Sequence, residues 1–292
     1  MDKIHIPVLL NESIDSLNIK PDGFYVDCTL GDGGHSQTIL KQLSPKGLLL
    51  SIDQDSFAIE FVKDFYKAQP NWIIKQSNFR HINKLVAETG RIPDGILMDL
   101  GLSSRQLEES HNRGFSYQEE QEPLDMRMDT NLGVTAKDIL VVFNDKQLTQ
   151  LFLEYGEERY AARIARTIKR NIDHIITVGD LTRLIYKVVP ANNNIKNPSR
   201  RVFQALRIVV NDELDSLSEA LDDSFKLLSK NGRLSVITFH SLEDRIVKTY
   251  FNDKAVSGEG ELLFKSQIAP TDTEIEQNSR SASAKLRCLI KN

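Results

Sequence analysis

Four short apolar segments in the first hundred residues, separated by helical patterns, constrain the fold of this 292-residue chain most strongly. They are Phe24–Cys28, Leu48–Ile52, Trp72–Lys75 and Ile96–Met98. Strands that are apolar along their whole length are typical of a parallel sheet with helices on both faces. Because strands here alternate with helical patterns, the sequence predicts repeated βαβ units and an α/β fold.

The alternation stops after Asp99 and returns much later. Residues 102–132 are polar without a strand period, and residues 136–189 follow a helical period. A loop at 190–198, a long helix at about 200–228 and a strand at 234–239 follow, and segments 251–270 and 284–290 are expected to close the sheet as a hairpin. We therefore predict a core domain formed by 1–105 and 212–292, interrupted by a helical insertion at 106–211.

Charge and cysteine content exclude several classes of protein. The formal net charge is −4, so any nucleic-acid contact needs a local cluster of cations. Only Cys28 and Cys288 occur, in no disulfide or zinc spacing, so no metal site is expected. No apolar run approaches the roughly 20 residues of a membrane span, which predicts a cytoplasmic protein without a membrane partner.

A glycine-rich turn between the first strand and the next helix carries the strongest local signal. It reads Asp27-Cys-Thr-Leu-Gly-Asp-Gly-Gly-His35. Glycines allow a sharp turn and close approach to a ligand, and Asp53 at the end of the next strand can hold the two hydroxyls of a ribose. The pattern predicts a nucleotide-type cofactor; the alternative is a tight strand–helix turn without a ligand.

The residues around the turn favour S-adenosylmethionine. The phosphate-binding Gly-x-x-x-x-Gly-Lys-Ser/Thr pattern is missing, and Ser36 stands where a dinucleotide site has its third glycine. Asp27 and Asp32 would repel a pyrophosphate but tolerate a sulfonium cation. An oxidoreductase that uses NAD stays open as the alternative.

Two polar residues follow later strands at the edge where ligands bind in open α/β sheets. Asp99 ends the fourth strand and is expected to face the cofactor or the methyl acceptor; His240 follows the fifth strand and could accept a proton. Capping of a turn or helix is the alternative for both. Neither cysteine lies in a Pro-Cys pair, so a nitrogen or oxygen acceptor fits better than a pyrimidine carbon.

Two groups of arginines are candidates for RNA contacts. Arg159, Arg163, Arg166 and Arg170 have the spacing of one helical stripe, with Tyr160, Ile164 and Ile168 on a neighbouring face. Such a stripe could follow phosphates, or could be a solvated face paired with Glu157 and Glu158. Arg200, Arg201 and Arg207 form the second group, for which RNA contact is favoured.

Several motifs, in order and almost from end to end, resemble one bacterial family, ribosomal RNA small-subunit methyltransferase H. The first half contributes His5-Ile-Pro-Val-Leu-Leu, Gly31-Asp-Gly-Gly-His-Ser36, Asp99-Leu-Gly-Leu-Ser-Ser104, Arg113-Gly-Phe-Ser116 and Pro123-Leu-Asp-Met-Arg-Met-Asp129. The second contributes Tyr155-Gly-Glu-Glu-Arg159, Phe203-Gln-Ala-Leu-Arg-Ile208, Val210-Asn-Asp-Glu-Leu214 and Phe239-His-Ser-Leu-Glu-Asp-Arg-Ile-Val-Lys248.

The resemblance implies a class I methyltransferase that uses S-adenosylmethionine to methylate N4 of a cytidine in the decoding centre of 16S rRNA. It implies that Gly33, Gly34 and His35 line the methionine part of the cofactor. Asp53 would hold the ribose, Phe79 would flank the adenine, and Asp99 and Gln106 would complete the pocket. The small ribosomal subunit is then the partner, and the insertion is expected to bind the RNA.

The chain departs from the family at two places. Asn278-Ser-Arg-Ser-Ala-Ser283 keeps Arg280 but has Ala282 at the second arginine of the family motif, so no RNA contact is carried over to that position. The Asp/Asn-Pro-Pro-aromatic motif of many amino-methyltransferases is missing, so their hydrogen bonds to N4 cannot be transferred to Asp99-Leu-Gly-Leu. A non-catalytic ribosome assembly factor and a homodimer stay open.

Overall fold

The structure, a computed structural model, describes residues 7–190 and 197–292. The chain divides into two compact units, Met1–Ser103 with Leu214–Asn292, and Ser104–Glu213. Each border lies two residues from the corresponding predicted limit, and the assignment of the two domains stays a prediction. The first two residues of the His5 motif and most of the predicted 190–198 loop lie outside the described residues.

Seven strands form one sheet in the first unit, in the order β3-β2-β1-β4-β5-β7-β6. The strands are β1 Phe24–Asp27, β2 Leu48–Asp53, β3 Trp72–Gln76, β4 Gly95–Asp99, β5 Arg233–Thr238, β6 Gly260–Leu262 and β7 Lys285–Lys291. β1 to β5 are parallel, and β7 runs antiparallel between β5 and β6. The predicted α/β sheet, including its closing hairpin, is confirmed.

Thirteen α-helices occur in the described residues. They are α1 Leu10–Leu17, α2 Gly34–Leu40, α3 Ser56–Phe65, α4 Ile82–Ala87, α5 Ser104–Glu108, α6 Ala136–Val142, α7 Asp145–Glu154, α8 Ala161–Arg170, α9 Val178–Val188, α10 Arg200–Asn211, α11 Glu213–Leu227, α12 Ser241–Val256 and α13 Asp272–Gln277. Short 3₁₀ turns occur at Phe79–His81, Ile172–His174 and Ser279–Ser283. Within the described residues, no helix combines the length and apolar character needed to cross a membrane.

Both faces of the sheet are covered by apolar layers. Side chains of α4, α11 and α12 pack on the face that carries Phe24 and Val26, and side chains of α1, α2 and α3 pack on the face that carries Tyr25. Successive residues of β1 therefore serve opposite layers, and all four residues of the strand are buried. This arrangement explains why the strands are apolar throughout.

Two predicted elements have different limits in the structure. The expected single helix at 200–228 is two helices, because Asp212 adopts a left-handed backbone with φ 50° between α10 and α11. The expected strand segment 251–270 begins with the last turns of α12, and only Gly260–Leu262 pairs as a strand. In both cases backbone geometry at a junction, rather than an apolar period, decides where the element ends.

Side chains from the family motifs stabilise the part of the second unit that lies outside helices and strands. The buried Arg113 donates from Nε to the Ser110 carbonyl and from Nη1 to the Met128 carbonyl. Asn211 accepts the Met128 amide at 2.7 Å and donates to the Met126 carbonyl at 2.8 Å. These bonds satisfy backbone groups that no helix or strand pairs, so these motif residues stabilise the fold of this unit.

Candidate active site

A chain of hydrogen bonds fixes the buried carboxyl group of Asp27 at the end of β1. Ser36 Oγ donates to Asp27 Oδ2 at 2.6 Å and lies 2.7 Å from Ser51 Oγ. Trp72 Nε1, which can only donate, is 2.8 Å from Ser51 Oγ. Burial nonetheless raises the pKa of Asp27 to about 6. The residue that replaces the third glycine of a dinucleotide site thus ties the glycine turn to the sheet.

The glycine turn is joined to the end of β2 through Asp53. Gly31 N donates to Asp53 Oδ2 at 2.8 Å, and Asp55 N donates to Oδ1 at 2.9 Å. A carboxylate oxygen can accept two bonds, so each oxygen keeps one for a ligand hydroxyl. Burial is the main cause that raises the pKa of Asp53 to about 7.

Gly33 begins α2 in a conformation that a larger residue would strain. Its φ is +82°, and a Cβ there would lie 2.9 Å from Tyr66 Cε2 and 3.2 Å from Val62 Cγ2. Gly33 N donates to the Leu30 carbonyl at 2.8 Å. A Cβ on Gly34 would clash with Pro7 Cγ, so both positions leave no room for a side chain. This turn can approach a ligand closely, as the glycine pattern predicts.

Asp99 lies beside the turn at the end of β4. Its backbone N donates to Thr29 Oγ1 at 2.7 Å, and its Oδ2 is 3.7 Å from His35 Nδ1. His35 is buried, and its Nε2 is 3.2 Å from the Val8 carbonyl, which can only accept. The hydrogen on His35 therefore lies on Nε2, and Nδ1 faces the carboxyl group of Asp99.

The second carboxyl oxygen of Asp99 differs from the first in its contacts. Oδ1 is buried and has no hydrogen-bond partner among the described residues. Burial is the main cause that raises the pKa of Asp99 well above its usual value, and the carboxyl groups of Asp27 and Glu243 add to the shift. A buried acceptor without a donor is costly, so this oxygen is suited to a ligand.

His240 caps helix α12. Its Nδ1 accepts the Glu243 amide at 3.3 Å, and Glu243 Oε2 accepts the Phe239 amide at 2.8 Å. A neutral imidazole that accepts at Nδ1 carries its hydrogen on Nε2, which lies 3.1 Å from Glu243 Oε1. The geometry therefore favours capping, and proton acceptance by His240 stays a prediction.

The remaining predicted cofactor residues lie in different elements. Phe79 begins the 3₁₀ turn after β3 and packs, partly buried, against the core of the first unit. Gln106 is buried in α5 of the second unit. Their contacts with the cofactor stay predictions.

The predicted RNA-binding arginines differ in their surroundings. Arg200 and Arg201 are exposed at the start of α10. Arg207 forms a two-bond ion pair with Glu213, with 2.8 Å for each bond, and its side chain is only 16% exposed. An RNA contact by Arg207 would have to compete with this pair, so of the three it has the least support.

Three polar residues of the site could not be found by sequence reasoning. Ser51 and Trp72 are 21 residues apart and face each other only because β2 and β3 are neighbours. Thr29 accepts from Asp99 across a gap of 70 residues. These pairings exist only in the folded sheet, so no local pattern in the sequence marks them.

The sheet order, the glycine turn after β1 and the acidic ends of β2 and β4 define a class I methyltransferase that uses S-adenosylmethionine. A methylase family confirms this class: the MraW methylase family profile matches residues 2–292, and the chain belongs to that family. Proteins named ribosomal RNA small subunit methyltransferase H from Clostridium botulinum are similar to it. The relative from strain Loch Maree / Type A3 is 47% identical, and the one from strain Kyoto / Type A2 is 46% identical, each over 98% of both chains.

Solved structures also align with the chain over most of its length. An rRNA methylase from Streptococcus thermophilus covers 99% of both chains with a TM-score of 0.47 and 11% identity. A methyltransferase from Streptococcus mutans, solved in complex with SAH, covers 99% of this chain and 100% of its own, with a TM-score of 0.45 and 11% identity.

The donor set of the site fits S-adenosylmethionine. Asp99 Oδ1 lacks a partner among the described residues, and Asp53 can accept further bonds from hydroxyls. The acidic groups Asp27, Asp53 and Asp99 surround a turn without a cationic side chain, which suits a sulfonium better than a phosphate. These observations favour the methyl donor over NAD.

Proposed function

We propose that the chain methylates the exocyclic N4 of a cytidine in the decoding centre of 16S rRNA, within the small ribosomal subunit. Family membership over residues 2–292 carries the proposal, together with relatives whose names state a small-subunit ribosomal RNA methyltransferase. The proposed substrate is a cytoplasmic assembly, so we place the enzyme in the cytoplasm.

The cofactor contacts follow the predicted assignment. We assign the ribose hydroxyls to Asp53, the methionine part to Gly33, Gly34 and His35, the adenine to Phe79, and a further pocket contact to Gln106. When bound, S-adenosylmethionine supplies a methyl group on a cationic sulfur. The carboxyl groups at the turn stabilise this positive charge, and the glycines let the backbone come close to it.

Asp99 is the residue best placed to serve the acceptor. Its unpartnered Oδ1 can accept a hydrogen bond from the N4 amino group, which orients the nitrogen lone pair. Formation of the N4–methyl bond would be matched by loss of the sulfur–methyl bond, and N4 would lose one proton. The ionised form of Asp99 could accept this proton, because its raised pKa makes it a stronger base than an ordinary carboxylate. The imidazole of His35 lies beside the other carboxyl oxygen, with Nδ1 3.7 Å from Oδ2.

Transfer of a labelled methyl group tests the proposal. Small subunits that lack the modification are incubated with labelled S-adenosylmethionine, and the modified base is mapped by mass spectrometry. We expect one labelled N4-methylcytidine in the decoding centre. Binding to the subunit without transfer would support an assembly factor instead, and label at another base or on carbon would contradict the proposed acceptor.

A further inference from the structure

We propose that the exposed face of α8 binds the phosphate backbone of the RNA substrate. This phosphate-binding face consists of Arg163, Arg166 and Arg170 on the helix, with Arg159 in the turn before it. The inference rests on the proposed function, because it names the surface by which that substrate is held.

The helix separates its arginines from its apolar residues completely. Arg163, Arg166 and Arg170 are spaced by three and four residues and are exposed, as is Arg159. The buried residues of the helix are Ala161, Ile164, Ala165 and Ile168. One side of α8 therefore packs in the second unit, and the other side presents guanidinium groups to solvent.

The arginines of this face lack acidic partners in the described part of the chain, unlike several other cations of the unit. Among the residues that the structure describes, no carboxylate forms an ion pair with any of the four, whereas Arg127 pairs with Asp125. The neighbouring Glu158 is buried and accepts the Tyr160 amide at 2.8 Å. Lys169, on the same helix, donates to the Leu140 and Val141 carbonyls. Arg166 Nε donates to the Ala162 carbonyl of its own helix at 3.0 Å, and this bond leaves the rest of its guanidinium group exposed.

Helix stability favours Arg170, which lies in the last turn of α8, but it does not account for the rest of the cluster. Arg163 repels Arg166 at three residues, and Arg166 repels Arg170 at four. Arg163 also lies in the first turn, where the positive end of the helix dipole disfavours a cation. An anionic ligand removes all of these costs at once.

A nucleic-acid backbone fits this face better than an acidic protein. The centre of a protein interface is usually depleted of charge and rich in apolar side chains, whereas the exposed face of α8 offers only arginines and Ala162. Guanidinium groups bind phosphates through paired hydrogen bonds and need no particular base. The face therefore supplies affinity and orientation rather than sequence recognition.

The test compares two triple variants of the full chain with the same change of charge. R163Q/R166Q/R170Q removes the helix cations, and the control K146Q/R183Q/K187Q removes three exposed cations elsewhere in the same unit. Affinity for unmodified 16S rRNA is measured at several salt concentrations. We expect the first variant to bind at least about 10-fold more weakly, with a salt slope lower by about 2, and the control to stay within about twofold of the parent.

Binding of S-adenosylhomocysteine and the melting temperature show that both variants are folded, and both should match the parent. Equal affinity and salt slope in the parent and R163Q/R166Q/R170Q would overturn the proposal, as would an equal loss in the control. A loss of methyl transfer to intact subunits, with unchanged affinity for the free RNA, would point to a ribosomal protein and also overturn it. If the parent transfers no methyl group at all, the proposed function fails, while the RNA-binding comparison still decides the role of the face.

Discussion

At the scale of single residues, Asp53 joins the fold to the cofactor. Its two oxygens accept the Gly31 and Asp55 amides, and its pKa is raised to about 7. Only the ionised form can accept the ribose hydroxyls on both oxygens. We therefore predict that the affinity for S-adenosylhomocysteine rises from about pH 6 to about pH 8 and that D53N binds at least about 10-fold more weakly without this rise. Isothermal titration measures both.

The exposed Asp64 on α3 provides the control for Asp53, since D64N makes the same change of charge outside the site. It should keep the affinity and the pH profile of the parent. A D53N variant that binds like D64N would show that another group holds the ribose.

Ser36 supports the second buried carboxyl group, Asp27. S36A removes the hydroxyl that donates to Asp27 Oδ2 and should lower the free energy of unfolding by about 1–3 kcal/mol. The raised pKa of Asp27 means that the folded state holds its proton more tightly than the unfolded chain, so stability falls as the pH rises from about 4 to about 6 and stays at the lower value above that. The loss in S36A should therefore be larger at about pH 8 than at about pH 5, where the folded carboxyl group is protonated.

Urea unfolding at both pH values measures the effect of S36A, and S218A on the exposed side of α11 is the control. The control should change the free energy of unfolding by less than about 0.5 kcal/mol. A pH-independent loss in S36A would mean that the hydroxyl contributes packing rather than support for the ionised carboxylate.

At the scale of secondary-structure elements, the sequence predicts those helices and strands whose positions follow from the spacing of apolar residues. β1, β2, β4 and β5 have buried residues along most of their length, and Asp53 and Asp99 end two of them as expected. In β3, at the edge of the sheet, only Trp72 is buried. The break at Asp212 could not be predicted, because a left-handed aspartate between two helical periods leaves the period almost unchanged. The ion pair between Arg207 and Glu213 could not be predicted either, because Glu213 begins the next helix.

The start of α12 shows how a histidine can serve as the N-cap of a helix. His240 accepts the Glu243 amide, so an asparagine, which is also a good N-cap, should replace it. We predict that H240N keeps the melting temperature and transfers methyl groups within about threefold of the parent, whereas H240A loses about 1 kcal/mol of stability. Loss of transfer in a stable H240N would instead assign the proton to His240.

At the scale of the whole molecule, positive and negative side chains are concentrated in different places, so the net charge does not describe any one site. The net charge is −4, the cofactor turn is lined by carboxyl groups, and groups of exposed arginines lie on α8 and at the start of α10. RNA binding should therefore depend steeply on salt although the protein is acidic overall, because local phosphate contacts release counterions. Cofactor binding exchanges few ions and should depend on salt only weakly.

This uneven distribution of charge can be tested on the intact protein. Between about 50 and about 200 mM KCl, we predict that the affinity for 16S rRNA falls by at least about 10-fold, while the affinity for S-adenosylhomocysteine changes by less than about twofold. Potassium glutamate at the same concentrations is the control for the anion. RNA affinity that is flat in salt would mean that the substrate is held through bases and apolar contacts, and an equal fall for both ligands would mean that salt acts on the fold itself.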